Sequence, residues 1–256
     1  MRKIISVLFF LSLIMFMISC DDNSNLSSED SALVLVKKVI TKNIDNTIID
    51  VTENEYLGNK IVRSTNQIGN EILYTYNGEL ISNIKIKDIN NNLKVEYSYS
   101  YENNKLTESL LKLPNENICE KRLYSYNSNN NLSFQYYKGD LITQNVLYKS
   151  GTIIILNNEI QSINIQDFTD SSNKVVNYVY DEKNNPQKNI LGMNKLNIEL
   201  DRSGGTFQNT FSFDTTINNG ITYFSNNNFE YDANNYPIKA TVNIFGTVYR
   251  KMEYYY

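Results

Sequence analysis

Aromatic residues two apart, followed closely by asparagine, aspartate or glycine, recur along this chain and constrain its fold more than any other feature. Tyr74-Thr75-Tyr76-Asn77-Gly78, Tyr99-Ser100-Tyr101-Glu102-Asn103-Asn104 and Tyr124-Ser125-Tyr126-Asn127 share one plan, and Tyr76, Tyr101 and Tyr126 are spaced 25 residues apart. Later copies are Tyr178-Val179-Tyr180-Asp181 and Phe229-Glu230-Tyr231-Asp232, with Phe211-Ser212-Phe213-Asp214 as a degenerate sixth. Residues at i and i+2 share one face of a strand, where each aromatic cross-strand pair contributes roughly 0.2–1 kcal/mol. The Asn, Asp or Gly that follows tolerates positive φ and reverses the chain. Each unit therefore predicts a strand, a turn and a returning strand.

Period-two patterning extends this reading from residue 32 to the end. Leu33–Val36, Ile48–Val51, Ile72–Tyr76, Leu93–Tyr99, Thr152–Ile155 and Val175–Tyr180 are rich in β-branched and aromatic residues and predict strands. Pro186 and Pro237 follow their turns, as proline does at a strand start. Residues 159–174 predict a loop that breaks the register. Apolar residues on both faces, such as Leu80 and Ile84 against Ile81, predict a sheet covered on both sides in part. The expected fold is all-β, an antiparallel meander of hairpin repeats, a long twisted sheet curled towards a partial barrel or a sandwich. An N-terminal signal-peptide helix precedes it.

That leader is residues 1–19, with Arg2 and Lys3 before an apolar run from Ile4 to Ile18. The run falls short of the roughly 20 residues that span a bilayer. Met17-Ile18-Ser19-Cys20 resembles the lipobox of bacterial lipoproteins, which implies cleavage before Cys20 and lipid on its thiol. Two or three acyl chains bury enough methylenes for stable anchoring. Residues 20–31, DDNSNLSSEDS after Cys20, are polar and acidic and predict a tether. Acidic residues there resemble the surface-export signal of Bacteroidota lipoproteins, whereas in enteric bacteria an aspartate beside the cysteine signals inner-membrane retention. The outer membrane or cell surface is the expected location, and residues 32–256 are expected to form a single repeat-containing domain.

The repeat itself resembles the tyrosine-aspartate repeat of Rhs-type shell proteins, and the mature chain resembles uncharacterised Bacteroidota lipoproteins built from such units. The matching segments include Asn185-Pro186 through Gly192, Tyr231-Asp232 through Tyr236-Pro237, and Tyr254-Tyr255-Tyr256. The resemblance implies architecture and transfers no activity.

Chemistry is sparse. The chain has no histidine and no tryptophan, which removes Ser-His-Asp and Cys-His catalysis and His-ligated zinc. Cys119 has no histidine to activate it. Asp181 and Asp232 fall at repeated turn positions, where hydrogen bonding to the local backbone is expected. The segment Asp88–Leu93 begins like an EF-hand loop, but Leu93 replaces the glycine and Tyr99 the bidentate glutamate. A looser cation site could form around Asp167 and Asp170. Gly204-Gly205 reads as a turn. A formal net charge of −4 without a basic cluster argues against nucleic acid as a partner. The expected protein is thus a non-enzymatic envelope lipoprotein with no cofactor. Its expected partners are the membrane, through lipid on Cys20, and a protein or glycan ligand; the alternatives are a carboxylate-based glycan-active enzyme and a structural wall module. Asp30-Ser31-Ala32 and Asp214-Thr215-Thr216 fit the short O-glycosylation acceptor pattern of Bacteroidota.

Overall fold

The computed structural model describes residues 33–256 apart from 128–130, 202–204 and 219. The leader, Cys20, the tether and the first glycosylation pattern lie outside the described residues. Leu33–Tyr256 forms a barrel of sixteen antiparallel strands. The first eight are β1 Lys38–Lys42, β2 Ile48–Leu57, β3 Lys60–Asn66, β4 Glu71–Asn77, β5 Leu80–Lys87, β6 Leu93–Glu102, β7 Lys105–Leu113 and β8 Ile118–Tyr126. The second eight are β9 Leu132–Gly139, β10 Gln144–Leu156, β11 Glu159–Asp167, β12 Ser172–Asn184, β13 Gln208–Ile217, β14 Ile221–Tyr231, β15 Pro237–Ile244 and β16 Thr247–Tyr255. Each strand pairs with its neighbours in sequence, and β1 pairs with β16 to close the ring, Val39 opposite Tyr254 and Thr41 opposite Met252.

The predicted meander is present, but its closure is complete rather than partial. Nothing in the repeat marks the seam, because Lys38–Lys42 carries no aromatic pair; closure depends on how far sixteen strands curl. A recurring β-bulge supplies that curl, since an extra residue bends its strand and increases the local twist. Tyr56 opposes Ile61 while Glu55 opposes Arg63, leaving Val62 as the extra residue. The same step leaves Ser82 between β4 and β5, Thr107 between β6 and β7, and Gln161 between β10 and β11. At two of these bulges the side chain ties back to the partner strand, Ser82 Oγ donating to Thr75 O and Thr107 Oγ1 to Ser100 O, at 3.2 and 3.3 Å.

The bulge also explains a misleading pattern. Ile81 and Ile84, Leu106 and Ser109, and Ile160 and Ile163 are all buried although three apart, because the extra residue between them returns both to the inner face. The apolar residues Ile81 and Ile84 thus share one face, and the expectation of a sheet covered on both sides does not hold there. Leu33–Val36 is not a strand; Leu35 and Val36 pack as irregular chain against Ile61 and Ile190. Residues 159–167 are β11, not a loop. The interruption lies instead at 185–207, between β12 and β13, and contains Pro186, whereas Pro237 does begin a strand.

Over the first strands the wall is apolar inside and polar outside, whereas Ile154, Val179, Phe211 and Phe224 are exposed on β10 and β12–β14. On β6 the inward residues are Val95, Tyr97, Tyr99 and Tyr101, and every outward position, Lys94, Glu96, Ser98, Ser100 and Glu102, is polar. Cross-strand ion pairs run over the outer surface: Lys38 with Glu53, Arg63 with Glu55 and Glu71, Lys85 with Glu96, and Lys239 with Glu230.

Candidate functional site

The repeat tyrosines line the lumen, and tyrosine hydroxyls there latch to backbone carbonyls 19–20 residues earlier in the chain. Tyr56 donates to Val36 O, Tyr101 to Ile81 O, Tyr180 to Ile160 O and Tyr256 to Pro237 O, at 2.7–2.9 Å. Burial pushes the phenols of Tyr76, Tyr126, Tyr136 and Tyr254 up to about 12, so these rings are neutral.

Residues 185–201 and 205–207 fold into this lumen as a plug. Asn185 opens it by accepting the Gln187 amide on Oδ1 at 2.8 Å, and Gly192 turns it at a φ of 75°. A Cβ at Gly192 would sit 2.9 Å from Glu79 O, so only glycine allows this approach to the β4–β5 turn. A short 3₁₀ turn at Met193–Lys195 follows. Leu196 and Ile198 then join the main core with Ile81, Leu106, Phe134, Tyr136 and Ile153. At its exit, Glu159 accepts the amides of Thr206, Phe207 and Gln208 at 2.7–2.8 Å.

Between these anchors the plug delivers two carboxylates to the wall. Glu199 is fully buried and receives hydrogen bonds from Ser109 Oγ, Tyr99 OH and Tyr124 OH. Arg122, from β8, lies 3.4 Å from Glu199 Oε1 and 2.9 Å from Asp201 Oδ1, and its other end meets Glu120 at 3.2 Å. Its guanidinium stands over the ring of Tyr136 with a centroid distance of 5.1 Å. Burial works against the Arg122 charge, and the adjoining Glu199 and Asp201 overcome it, holding the group above its ordinary pKa.

Beside the plug, the lumen retains a cavity of about 500 Å³. Its wall is built from the inward residues of β1–β4, β13, β14 and β16, with Pro186, Ile190 and Met193 of the plug on one side. Among the described residues no Asp, Glu, Lys or Arg lines it.

The acidic residues singled out from sequence are otherwise engaged. Asp232 accepts the amides of Asn234 and Tyr236, and Asp181 those of Lys183 and Asn209 together with the Tyr231 hydroxyl. Asp88 closes its own turn through Asn90 and Asn92 and pairs with Lys94. Asp167 and Asp170 both contact Lys174, which supplies the positive charge a cation would. Among the described residues no three Asp, Glu or Cys side chains gather as a metal site requires. The thiol of Cys119 is buried, which raises its pKa. Gly205 takes a hydrogen bond from Asn185 Nδ2, while Gly204 lies outside the described residues.

Sequence reasoning did not find Arg122, Glu159, Glu199 or Asp201. Only one signal was available: the Y-x-Y plan lapses between Tyr180 and Phe211, over a stretch longer than one unit.

The fold and its contents define the chain as a closed, internally plugged sixteen-stranded β-barrel. Among solved structures it is similar to a porin-like protein from Bacteroides vulgatus ATCC 8482, at 17% identity and a TM-score of 0.59 over 87% of this chain and 98% of that one. It is also similar to a porin-like protein from Bacteroides uniformis ATCC 8492, at 12% identity and a TM-score of 0.51 over 87% and 97%. At these identities the likeness is one of fold. No protein-family model and no curated protein matches the chain.

Proposed function

We propose that this protein is a lipid-tethered, water-facing barrel of the outer membrane or cell surface, acting as a binding or scaffold module rather than an enzyme. The observation that carries this reading is the polarity of the wall. A transmembrane barrel alternates apolar-out and polar-in, and one Lys or Arg facing lipid at the bilayer midplane costs about 2–4 kcal/mol. On β6 the alternation is reversed, and charged pairs cover the outer face of β2–β6, a charged band that lipid would not accept. The lipid on Cys20 then supplies the attachment that the wall does not, as in the tyrosine-aspartate-repeat lipoproteins the sequence resembles. A binding role is supported by the commitment of the interior carboxylates Glu159, Glu199 and Asp201 to backbone amides and Arg122, which leaves them no acid-base work.

Exchanging residues 1–20 for a leader cut by the general signal peptidase tests the reading. The expected outcome is folded barrel in the soluble periplasmic fraction, with the parent in the membrane fraction. Retention of the exchanged form in outer membranes after an alkaline carbonate wash would refute it.

A further inference from the structure

Six turns at one end of the barrel each raise an exposed apolar side chain, and we propose that this rim dips into the lipid interface and stands the barrel on the membrane, with the opposite end and its asparagine turns facing solvent. The proposal rests on the reading of the protein as a lipid-tethered barrel and names the end that meets the bilayer.

In an up-and-down barrel every second turn lies at the same end. The turns that follow β1, β3, β5, β9, β11 and β15 carry Ile44, Ile68, Ile89, Ile142, Phe168 and Phe245, all exposed, Ile142 to 91% and Phe245 to 61%. Turns at the other end are built differently: Gly58-Asn59, Gly78-Glu79, Asn103-Asn104 and Asn157-Asn158 hold no apolar residue. Phe245 adopts a φ of 51°, a left-handed conformation that those turns give to asparagine and glycine and that a bulky side chain enters at a cost. Next to the tips, Phe224 and Tyr249 are also exposed, and aromatic rings are favoured at bilayer interfaces.

The setting of the tips favours lipid over a protein partner. Each stands on its own loop, and Asp45 and Asp140 are exposed beside Ile44 and Ile142. The core of a packed protein interface is depleted of charge, and forming one here would strip these carboxylates of water. A lipid interface takes separate apolar tips while the carboxylates stay hydrated among the headgroups. The chain before β1 is also long enough. β1 enters the wall at the asparagine-turn end, yet Cys20 lies 13 residues before Leu33. That length extends to about 45 Å at most, more than the roughly 30 Å that nine residues of strand rise. Lipid on Cys20 therefore raises the effective concentration of the rim at the surface, and the rim contact is reversible on its own.

The test uses the leader-exchanged chain, which carries no lipid, with vesicles of phosphatidylcholine and phosphatidylethanolamine. The chain has no tryptophan, so Ile142→Trp places a single reporter on the rim, and Leu57→Trp places one beside a turn at the other end. At millimolar lipid the emission of Ile142→Trp is expected to shift to the blue and to be quenched by brominated lipid, and that of Leu57→Trp to do neither. In the Ile142→Trp background, Ile44→Asn with Ile89→Asn is expected to weaken vesicle binding by about tenfold or more. Leu57→Asn with Leu156→Asn, the same loss at the other end, is expected to leave it unchanged. All these side chains are exposed, so far-UV spectra are expected to match the parent. The proposal is overturned if the rim reporter ignores vesicles, if both reporters respond alike, or if the two double changes act equally. Self-association in sedimentation without lipid, lost on changing Ile44 and Ile89, would also overturn it and assign the rim to a second copy. Carbonate-resistant retention of the leader-exchanged chain would instead refute the tethered-barrel reading; a soluble chain whose rim reporter ignores vesicles refutes this proposal alone.

Discussion

Arg122 holds the middle of the plug to the wall through the carboxylates of Glu199 and Asp201. A buried ion pair is weak evidence of net stabilisation, because desolvating both partners costs several kcal/mol, but removing one partner leaves the other buried and uncompensated. Arg122→Met therefore strands Glu199, which has no exposed surface, and is expected to lower unfolding stability by about 3–5 kcal/mol. The double variant Arg122→Met with Glu199→Leu is expected to recover most of that loss. Denaturant unfolding followed by circular dichroism measures both. If the single variant were as stable as the parent, Arg122 would not be the anchor of the plug.

At the scale of the element, the units at Tyr74–Tyr76 and Tyr99–Tyr101 are hairpins with three parts, an aromatic pair, a two-residue turn and a bulge just after it, whereas Tyr126 pairs with Leu132 with no bulge. The turn before β7 places Asn103 and Asn104 at φ of 48° and 63°, and the turn before β11 repeats this at Asn157 and Asn158 with 53° and 65°. Asn103→Ala removes a side chain suited to the left-handed region and is expected to cost about 1–2 kcal/mol. The same change at Ser100, outward on β6, should cost less than about 0.5 kcal/mol. Comparing the two midpoints of thermal unfolding checks it, and equal midpoints would mean that the turn conformation is not demanding. These turns were legible in the sequence because asparagine declares its backbone preference locally. The bulges were not legible, since Ser82 and Thr107 are ordinary strand residues and only their register against Thr75 and Ser100 makes them extra. The same holds for the site. Glu199 and Asp201 look like exposed loop acids until the plug carries them 77 and 79 residues back along the chain, to Arg122.

For the whole molecule, the decisive property is which side of the wall is oily. The sixteen-strand ring matches porin-like proteins in outline, yet its lumen is occupied by Leu196, Ile198 and a ladder of tyrosines. Barrels of this strand number that conduct leave an aqueous channel. Reconstitution with lipid vesicles is therefore expected to give no release of an entrapped small dye above that from protein-free vesicles. Sustained release at a low protein-to-lipid ratio would mean that the wall enters the bilayer and the plug yields.

The seam between β1 and β16 bears on how such a ring is made. Every other pairing joins neighbours in sequence, so hairpins can zip one after another at small loop-closure cost, whereas Val39 must find Tyr254 across almost the whole chain. Until the last strand docks, the product is an open ribbon with two raw edges, each a template for another chain. Two such ribbons that meet first can exchange end strands instead of closing, and the seam is thus where this barrel is most exposed to becoming a swapped dimer.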